Sequence, residues 1–361
     1  MRVAVTLEQC WHRVPGGTAR ATLDTVAAVA AGGQVEQVGV SAWHRRPPVD
    51  TWGPAIDVRR LPLPRLLLYD AWQRLRRPRV ERATGPVDVV HSTAHVAAAS
   101  RAPMVATVHD LHFLHEPGHF TPRGVAVFNR FLDLVRSEAA IVMCPSEATR
   151  ADCEAAGIEP ARLRVTPWGS DAQPVADAEA ARVRAAYDLR RPFVLFTGTV
   201  EPRKNLARLL EAFARLGDVG ADLVVVGPEG WSTDLPAATS VRRLGFVPSA
   251  DRDALYAGAS VVAYPSLREG FGLPVLEAMI QGAAVVTSST TSTAEVAGDA
   301  ALLVDPTDID AIAGAIRRIL EDPDLARELG AAARRRAATF SWERTSAGVV
   351  DAYRAAAGAR P

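Results

Sequence analysis

The sequence predicts an α/β protein made of two doubly wound parallel sheets, and three observations carry that prediction. The chain opens with a β-loop-α-β run: an apolar strand from Val3 to Thr6, a glycine-bearing loop, a helix that stops at Gly32-Gly33, and a strand from Val35 to Val40. The pattern restarts at Phe193-Val194-Leu195-Phe196-Thr197-Gly198, after a stretch that has no strand pattern. At 361 residues, the chain is long enough for two domains that each bury a core.

Composition narrows the function classes. Forty-one basic residues balance 41 acidic ones, so no overall field steers the protein towards nucleic acid. A hydrophobic content of 48% excludes a disordered chain. Cys10, Cys144 and Cys153 form no C-x-x-C pair, and Cys144 closes an apolar run, which suits a buried thiol in a reducing compartment. The first strand is interrupted by Glu8, too early for a signal-peptide core, and no apolar run approaches a membrane span. The expectation is a soluble protein of the cytoplasm, or one on the inner face of the plasma membrane.

In the first half, the opening loop is Pro15-Gly16-Gly17-Thr18-Ala19-Arg20. It lacks G-x-G-x-x-G, so the dinucleotide fingerprint is absent; the glycines serve a turn or let the backbone close on a ligand. Arg59 to Arg82 is the markedly basic region, where Leu66, Leu67, Leu68, Tyr69 and Trp72 interleave with arginines and only Asp70 and Glu81 oppose them. Such a stretch suits an anionic membrane surface, or a solvated helix whose leucines enter the core. Val87 to His91 and Met104 to Val108 are strands, and His109-Asp110 follows the second directly. Open α/β sheets bind ligands at that end of their strands.

Six of the eight histidines lie between His91 and His119. His115 and His119 have helical spacing, but Pro117-Gly118 disfavours the helix that would align their rings, and neither cysteine nor H-E-x-x-H accompanies them. A binding loop is expected there, and no metal site. Thr121-Pro122 opens a helix to about Ser137, Ala140 to Cys144 is a strand, and Ser146 caps the next helix with Glu147 in its first turn. Leu163 to Thr166 is a strand that leads into Pro167-Trp168-Gly169-Ser170-Asp171. Residues 172–191 read as a linker with room for one helix.

In the second half, Asn205 is expected to cap a helix starting at Leu206. Strands follow at Leu223 to Gly227, Val241 to Phe246, Ser260 to Tyr264, Val285-Val286 and Ala301 to Val304. After Pro306 the chain is helical, with a break near Phe340-Ser341-Trp342.

Two stretches carry chemistry. From Tyr264 to Gly282 the chain reads YPSLREGFGLPVLEAMIQG, a strand, a loop punctuated by Pro265, Gly270 and Gly272, then a helix with Pro274 in its first turn and Gly282 at its end. Gly270-Phe271-Gly272 lets backbone N–H groups approach a ligand, and a helix N-terminus favours phosphate. Glu269 and Glu277 supply carboxylates that accept hydrogen bonds from sugar hydroxyls. Upstream, Gly198-Thr199-Val200-Glu201-Pro202-Arg203-Lys204-Asn205 puts Arg203 and Lys204 on a strand-to-helix loop. Arginine forks two phosphate oxygens, and lysine adds a compact charge. Phosphate and sugar recognition side by side describe a nucleotide-sugar site.

These motifs, in order with the Gly16-Gly17 loop, resemble the retaining family-four (group 1) glycosyltransferases of GT-B fold and their E-x7-E signature. The resemblance spans nearly the whole chain. E-P-R-K-N together with H-D-L-x-F-L, here His109 to Leu114, is most similar to the mannosyl- and rhamnosyltransferase branch. It implies two Rossmann-like domains facing across a cleft: residues 1–171 for the acceptor, a linker at 172–191, residues 192–342 for the donor, and a crossover helix at 343–361 packing back on the first domain. It implies catalytic roles for His109, Arg203, Lys204 and Glu269. Arg203 and Lys204 stabilise the departing diphosphate, Glu269 contacts donor-sugar hydroxyls, and His109 faces the sugar and phosphates as a positioning and electrostatic group. Donor binding falls to Gly16, Gly17, Phe246, Val247, Gly270, Phe271, Gly272, Leu273 and Glu277. Glu277 accepts both ribose hydroxyls, and Phe246-Val247 sits where base contacts arise, although core packing explains that pair equally well.

The family's usual P-N-G-V-D departs here at Trp168 and Ser170, so no site is carried over from that stretch. No second acid matches a glycosidase pair. No protein base is assigned, because the leaving phosphate takes the acceptor's proton. No metal or resident cofactor is implied; Asp308-Ile309-Asp310 is D-x-D by letters but reads as a helix start. The expected reaction moves a hexose, mannose favoured, from a nucleoside diphosphate sugar to a glycan or lipid-linked acceptor, with GDP-mannose ahead of a dTDP- or UDP-sugar. The alternatives are a GT-B nucleotide-sugar epimerase and a non-catalytic nucleotide-sugar-binding subunit.

Overall fold

The computed structural model describes residues 1–12, 16–49, 52–228, 230 and 240–359, and Pro15 of the opening loop lies outside them. The chain forms two compact units, Met1–Gly169 with Ser341–Pro361, and Ser170–Phe340.

The first unit begins with β1 (Arg2–Thr6), α1 (Gly16–Ala31), β2 (Glu36–Ser41), β3 (Val58–Arg60), α2 (Arg65–Leu75), α3 (Glu81–Thr84), β4 (Val89–Ser92) and β5 (Met104–Thr107). It continues with α4 (His112–His115), α5 (Pro122–Glu138), β6 (Ala139–Cys144), α6 (Glu147–Ala155) and β7 (Leu163–Val165). The seven strands are parallel in the order β3-β2-β1-β4-β5-β6-β7, so the winding reverses between β1 and β4. Parallel strands are covered on both faces, which is why they read as near-continuous apolar runs. Neighbours alternate between two cores: Val90, Ala106 and Val142 face one cluster, and Val89, Val105 and Ile141 the other. β3 was not predicted, because it is a short edge strand whose Arg59 and Arg60 are exposed.

The basic stretch is divided by its packing. Leu68 and Trp72 enter the core, whereas Leu66 and Leu67 are exposed. Arg76 adopts the left-handed conformation that ends α2 and donates to the carbonyls of Ala97 at 2.8 Å and Ala98 at 3.0 Å while pairing with Glu138. It is therefore a structural arginine.

The second unit contains α7 (Asp177–Ala186), β8 (Phe193–Thr197), α8 (Leu206–Arg215), β9 (Asp222–Val226), β10 (Val241–Gly245), α9 (Ser249–Gly258), β11 (Val261–Tyr264) and α10 (Leu273–Ile280). β12 (Val285–Ser288), α11 (Ser292–Ala297), β13 (Leu302–Val304), α12 (Ile309–Glu321) and α13 (Pro323–Ala337) complete it. Its six parallel strands run β10-β9-β8-β11-β12-β13, with the reversal between β8 and β11. α7, within the stretch read as a linker, packs on α9.

Caps behave as their side chains allow. Ser146 accepts from Thr149 N, and Asp308 accepts from Ala311 N. Asn205 does not cap α8, contrary to expectation. Its backbone is left-handed, and its buried amide instead donates to the carbonyls of Pro265 at 2.9 Å and Pro306 at 2.6 Å. Two buried carbonyls without another donor cost more than one helix N–H left uncapped.

The final helix, α14 (Trp342–Gly358), belongs to the first unit and starts from Ser341, which accepts from Arg344 N. Val349, Val350 and Tyr353 join the core beside β1, β4 and β5, and the Tyr353 hydroxyl lies 2.8 Å from His91 Nδ1. The chain leaves this unit after Gly169 and re-enters at Ser341, and a Cβ on Gly169 would stand 2.2 Å from the Ser341 carbonyl carbon, so only glycine fits there. Among the described residues, no helix is long and apolar enough to cross a membrane.

Candidate active site

The carboxyl edge of the second unit's sheet assembles the cationic loop and the carboxylate loop. β8 and β11 are neighbours, yet the chain leaves β8 towards β9 and leaves β11 towards β12. Loops that diverge from adjacent strands open a crevice at this reversal, the usual ligand position in such sheets. Gly198 turns the chain out of β8 with a φ of 139°, and Pro202–Lys204 form a short 3-10 turn. The β11 loop is stitched to that turn: Leu267 N donates to Arg203 O at 2.8 Å, and Ser266 Oγ does so at 2.9 Å.

Glu269 is the centre of the cluster. Its Oε1 accepts from Lys204 Nζ at 2.6 Å and Tyr264 OH at 2.9 Å and lies 2.9 Å from Ser266 Oγ, whose single proton is shared with the Arg203 carbonyl, and its Oε2 accepts from Arg203 NH1 at 2.9 Å. Arg203 Nε also pairs with Glu201 at 2.9 Å. Only 8% of the Glu269 side chain and 10% of Lys204 are exposed, whereas Arg203 keeps 25%. Burial opposes ionisation of Glu269, but the charges of Lys204 and Arg203 outweigh it and hold its pKa down to about 2. Burial and the neighbouring Arg203 pull Lys204 below the usual lysine range, against the opposing pull of Glu269. Three of these contacts fall on Oε1 and one on Oε2, so the carboxylate bridges the two cations.

Glu277 projects from α10. Its Oε1 pairs with Arg252 NH2 at 3.0 Å, and its Oε2 accepts from Tyr256 OH at 3.2 Å. The remaining donor-binding candidates divide by exposure. Phe246 lies just beyond β10 and is 80% exposed, while Val247 is buried, so core packing explains Val247 alone. Gly270, Phe271 and Gly272 are buried, and the Phe271 ring meets Phe340 edge-on with centroids 5.9 Å apart. Gly272 has a φ of 113° and lies 3.0 Å, by way of a Cβ, from Thr293 Cγ2, so it tolerates no side chain. Leu273 is half-buried at the start of α10.

In the first unit, His109 stands at the end of β5, 4% exposed. Its Nε2 lies 2.7 Å from Thr93 O. A carbonyl only accepts, so Nε2 carries the proton and Nδ1 keeps a lone pair; Nδ1 is buried with no partner among the described residues. Burial, helped by His95, pulls the His109 pKa down to about 4. His109 thus presents Nδ1 as an acceptor. It lines a cavity of about 20 Å³ with Thr22, Thr93, Thr107, Trp168 and Thr345. Gly16 and Gly17 form the first turn of α1 and not a preceding loop, Gly16 with a left-handed φ of 67°. His112 and His119 contact each other at 3.0 Å, and His115 pairs with Asp152 at 3.2 Å. Among the described residues, no group of three or more His, Cys, Asp or Glu is placed to hold a metal ion.

Comparison with known proteins places this geometry. The profile of Glycosyltransferase Family 4 matches residues 15–174, and that of Glycosyl transferases group 1 matches residues 177–336. The O-antigen chain mannosyltransferase B of Escherichia coli is 35% identical over 266 residues, covering 69% of this chain and 70% of that protein. The chain belongs to the group 1 glycosyltransferases. The MMP alpha-(1->4)-mannosyltransferase of Mycolicibacterium hassiacum is 34% identical over 208 residues, 54% of this chain and 49% of that one. Anabaena HepE, solved with UDP-glucose, superposes with a TM-score of 0.77 at 18% identity, covering 97% of this chain and 98% of that one. WaaG, a glycosyltransferase involved in lipopolysaccharide biosynthesis, gives 0.73 at 20% identity over 97% and 98%. At that identity the two structures show the fold, and it is GT-B.

For this glycosyltransferase, the motifs found Arg203, Lys204, Glu269 and Glu277 but not the side chains that hold them. Tyr264 and Tyr256 are fully buried, and no motif marks their hydroxyls as partners of the carboxylates. Glu201 sits inside the E-P-R-K-N motif, two residues before Arg203, and that spacing was the available signal. Nothing in the local pattern marks Arg252, because its partner lies on another helix.

Proposed function

We propose that this glycosyltransferase is a retaining hexosyltransferase that takes its sugar, mannose favoured, from a nucleoside diphosphate donor and delivers it to a glycan or lipid-linked acceptor. The observation that carries the reading is the Arg203–Lys204 pair, held by Glu269 at the reversal of the sheet with Glu277 on the helix that follows. As the bond from the anomeric carbon to the diphosphate oxygen lengthens, negative charge grows on the leaving group and positive charge on the sugar. Arg203 and Lys204 meet the first of these, each contact contributing about 1.5–3 kcal/mol. The acceptor oxygen bonds to the anomeric carbon on the same face, and its proton passes to the departing phosphate oxygen.

Glu269 acts by fixing the two cations. Glu277, held by Arg252 and Tyr256, accepts from the ribose hydroxyls. Exposed Phe246 offers its ring to the base. Because two protein cations supply the charge, the transfer is proposed to need neither a divalent metal nor a resident cofactor. Mannose is favoured by the two mannosyltransferase relatives; a GDP donor is the first candidate, and dTDP- and UDP-sugars come second. The exposed leucines and arginines of α2 suit attachment to the inner face of the plasma membrane.

A thermal-shift comparison of GDP, UDP and dTDP tests the donor site. A nucleotide at a hundred times its Kd adds about 2.7 kcal/mol of stability, and Arg203→Ala is expected to abolish the shift. Labelled sugar should then pass from the best donor to a lipid or glycan extract. If no nucleoside diphosphate moves the melting transition, the reading fails.

A further inference from the structure

We infer that Thr197, Tyr256 and Arg252 form a positioning frame that sets the Glu277 carboxylate for recognition of the donor ribose and ties it to the strand that carries the phosphate-binding loop; this rests on the donor-site reading above. Tyr256 OH lies 2.5 Å from Thr197 Oγ1 and 3.2 Å from Glu277 Oε2. The carboxylate only accepts, so Tyr256 donates to Glu277 and Thr197 donates to Tyr256. Tyr256 is fully buried, and burial with the adjacent Glu277 charge raises its pKa, so the hydroxyl keeps its proton. On the other oxygen, Arg252 NH2 holds Glu277 Oε1 at 3.0 Å and is itself held by Asp253 at 3.1 Å.

A donor on each oxygen restrains rotation of the carboxylate plane. Thr197 is the last residue of β8, and Gly198 and the Arg203–Lys204 turn follow it directly. The relay therefore sets the distance between the sugar end and the phosphate end of one nucleoside diphosphate.

The test measures binding of GDP against 2′-deoxy-GDP, and of UDP against 2′-deoxy-UDP, by calorimetry on the full chain. The wild type should prefer the ribonucleotide by about 10- to 100-fold, the range for a hydrogen bond to a charged group. Tyr256→Phe and Arg252→Gln should each cut that preference several-fold while binding inorganic pyrophosphate as the wild type does. A residue serving only stability would lower the melting point with the preference intact. Glu277→Gln is the control and should bring the preference close to one. If it does so while both frame variants keep the wild-type preference, the frame is refuted and the ribose reading survives. If Glu277→Gln keeps the preference, or no nucleotide binds, the donor-site reading fails and the frame with it. Should Arg252→Gln not fold, Thr197→Val cuts the relay at its far end and carries the same expectation.

Discussion

Replacing Glu269 by glutamine keeps the shape of the side chain and removes a charge that faces both Lys204 and Arg203. The folded protein holds this carboxyl at about 2 against an ordinary 4.5. At about 1.4 kcal/mol per pH unit, that gap corresponds to about 3 kcal/mol of stability at neutral pH. An independent route agrees, since removing one partner of a buried ion pair costs about 3–5 kcal/mol. For a unit of this size, about 3 kcal/mol moves the transition by roughly 6–12 °C. The sign follows from a carboxyl whose pKa falls on folding. Its contribution is complete above pH 4.5 and drains away as the pH falls from 4.5 towards 2. Calorimetry and urea unfolding of wild type and Glu269→Gln, from pH 7 down to pH 3, should therefore show a large difference that narrows across that window. Other carboxyls titrate there too, but they are common to both proteins and cancel in the difference. A loss below about 1 kcal/mol at pH 7, or a difference that ignores pH, would refute the argument that Glu269 is ionised and holds the cations.

Other outcomes follow from the same geometry. Because His109 is neutral with a pKa near 4, the pH profile of kcat/KM should show no limb near 6.5 that His109→Asn removes; such a limb would mean that the imidazole takes up a proton during turnover. Arg203→Ala and Lys204→Ala should each lower kcat/KM by roughly 10- to 150-fold, the equivalent of a charge-assisted hydrogen bond; loss in KM alone would show that neither acts on the leaving group. Transfer should survive dialysis against EDTA, and loss restored by added magnesium or manganese would overturn the metal-free proposal. Leu66→Glu with Leu67→Glu should weaken sedimentation with anionic vesicles without altering the melting point, since both leucines are exposed; unchanged sedimentation would remove α2 from any membrane contact.

Much of this protein was legible along the chain. Strand runs, turn residues and cap signals are local, so the β-α alternation, the restart at Phe193 and the caps at Ser146 and Asp308 could be read directly. The motif order likewise placed Arg203, Lys204 and Glu269 on the loops that leave strands and Glu277 on the helix that follows. Local reading failed where a residue's partner is distant. Asn205 looked like a cap but serves two carbonyls, Pro265 and Pro306, on other loops. Arg76 looked like part of a surface charge cluster but secures the carbonyls of Ala97 and Ala98. Glu269 was legible as a motif carboxylate, but its partners Lys204, Arg203, Tyr264 and Ser266 were not. The Asn205 and Glu269 partnerships depend on β8 lying against β11, a neighbour relation set by the winding of the second sheet. A one-dimensional pattern specifies which residues face inward, but a buried charge or amide takes whichever partners the assembled sheet brings within about 3 Å.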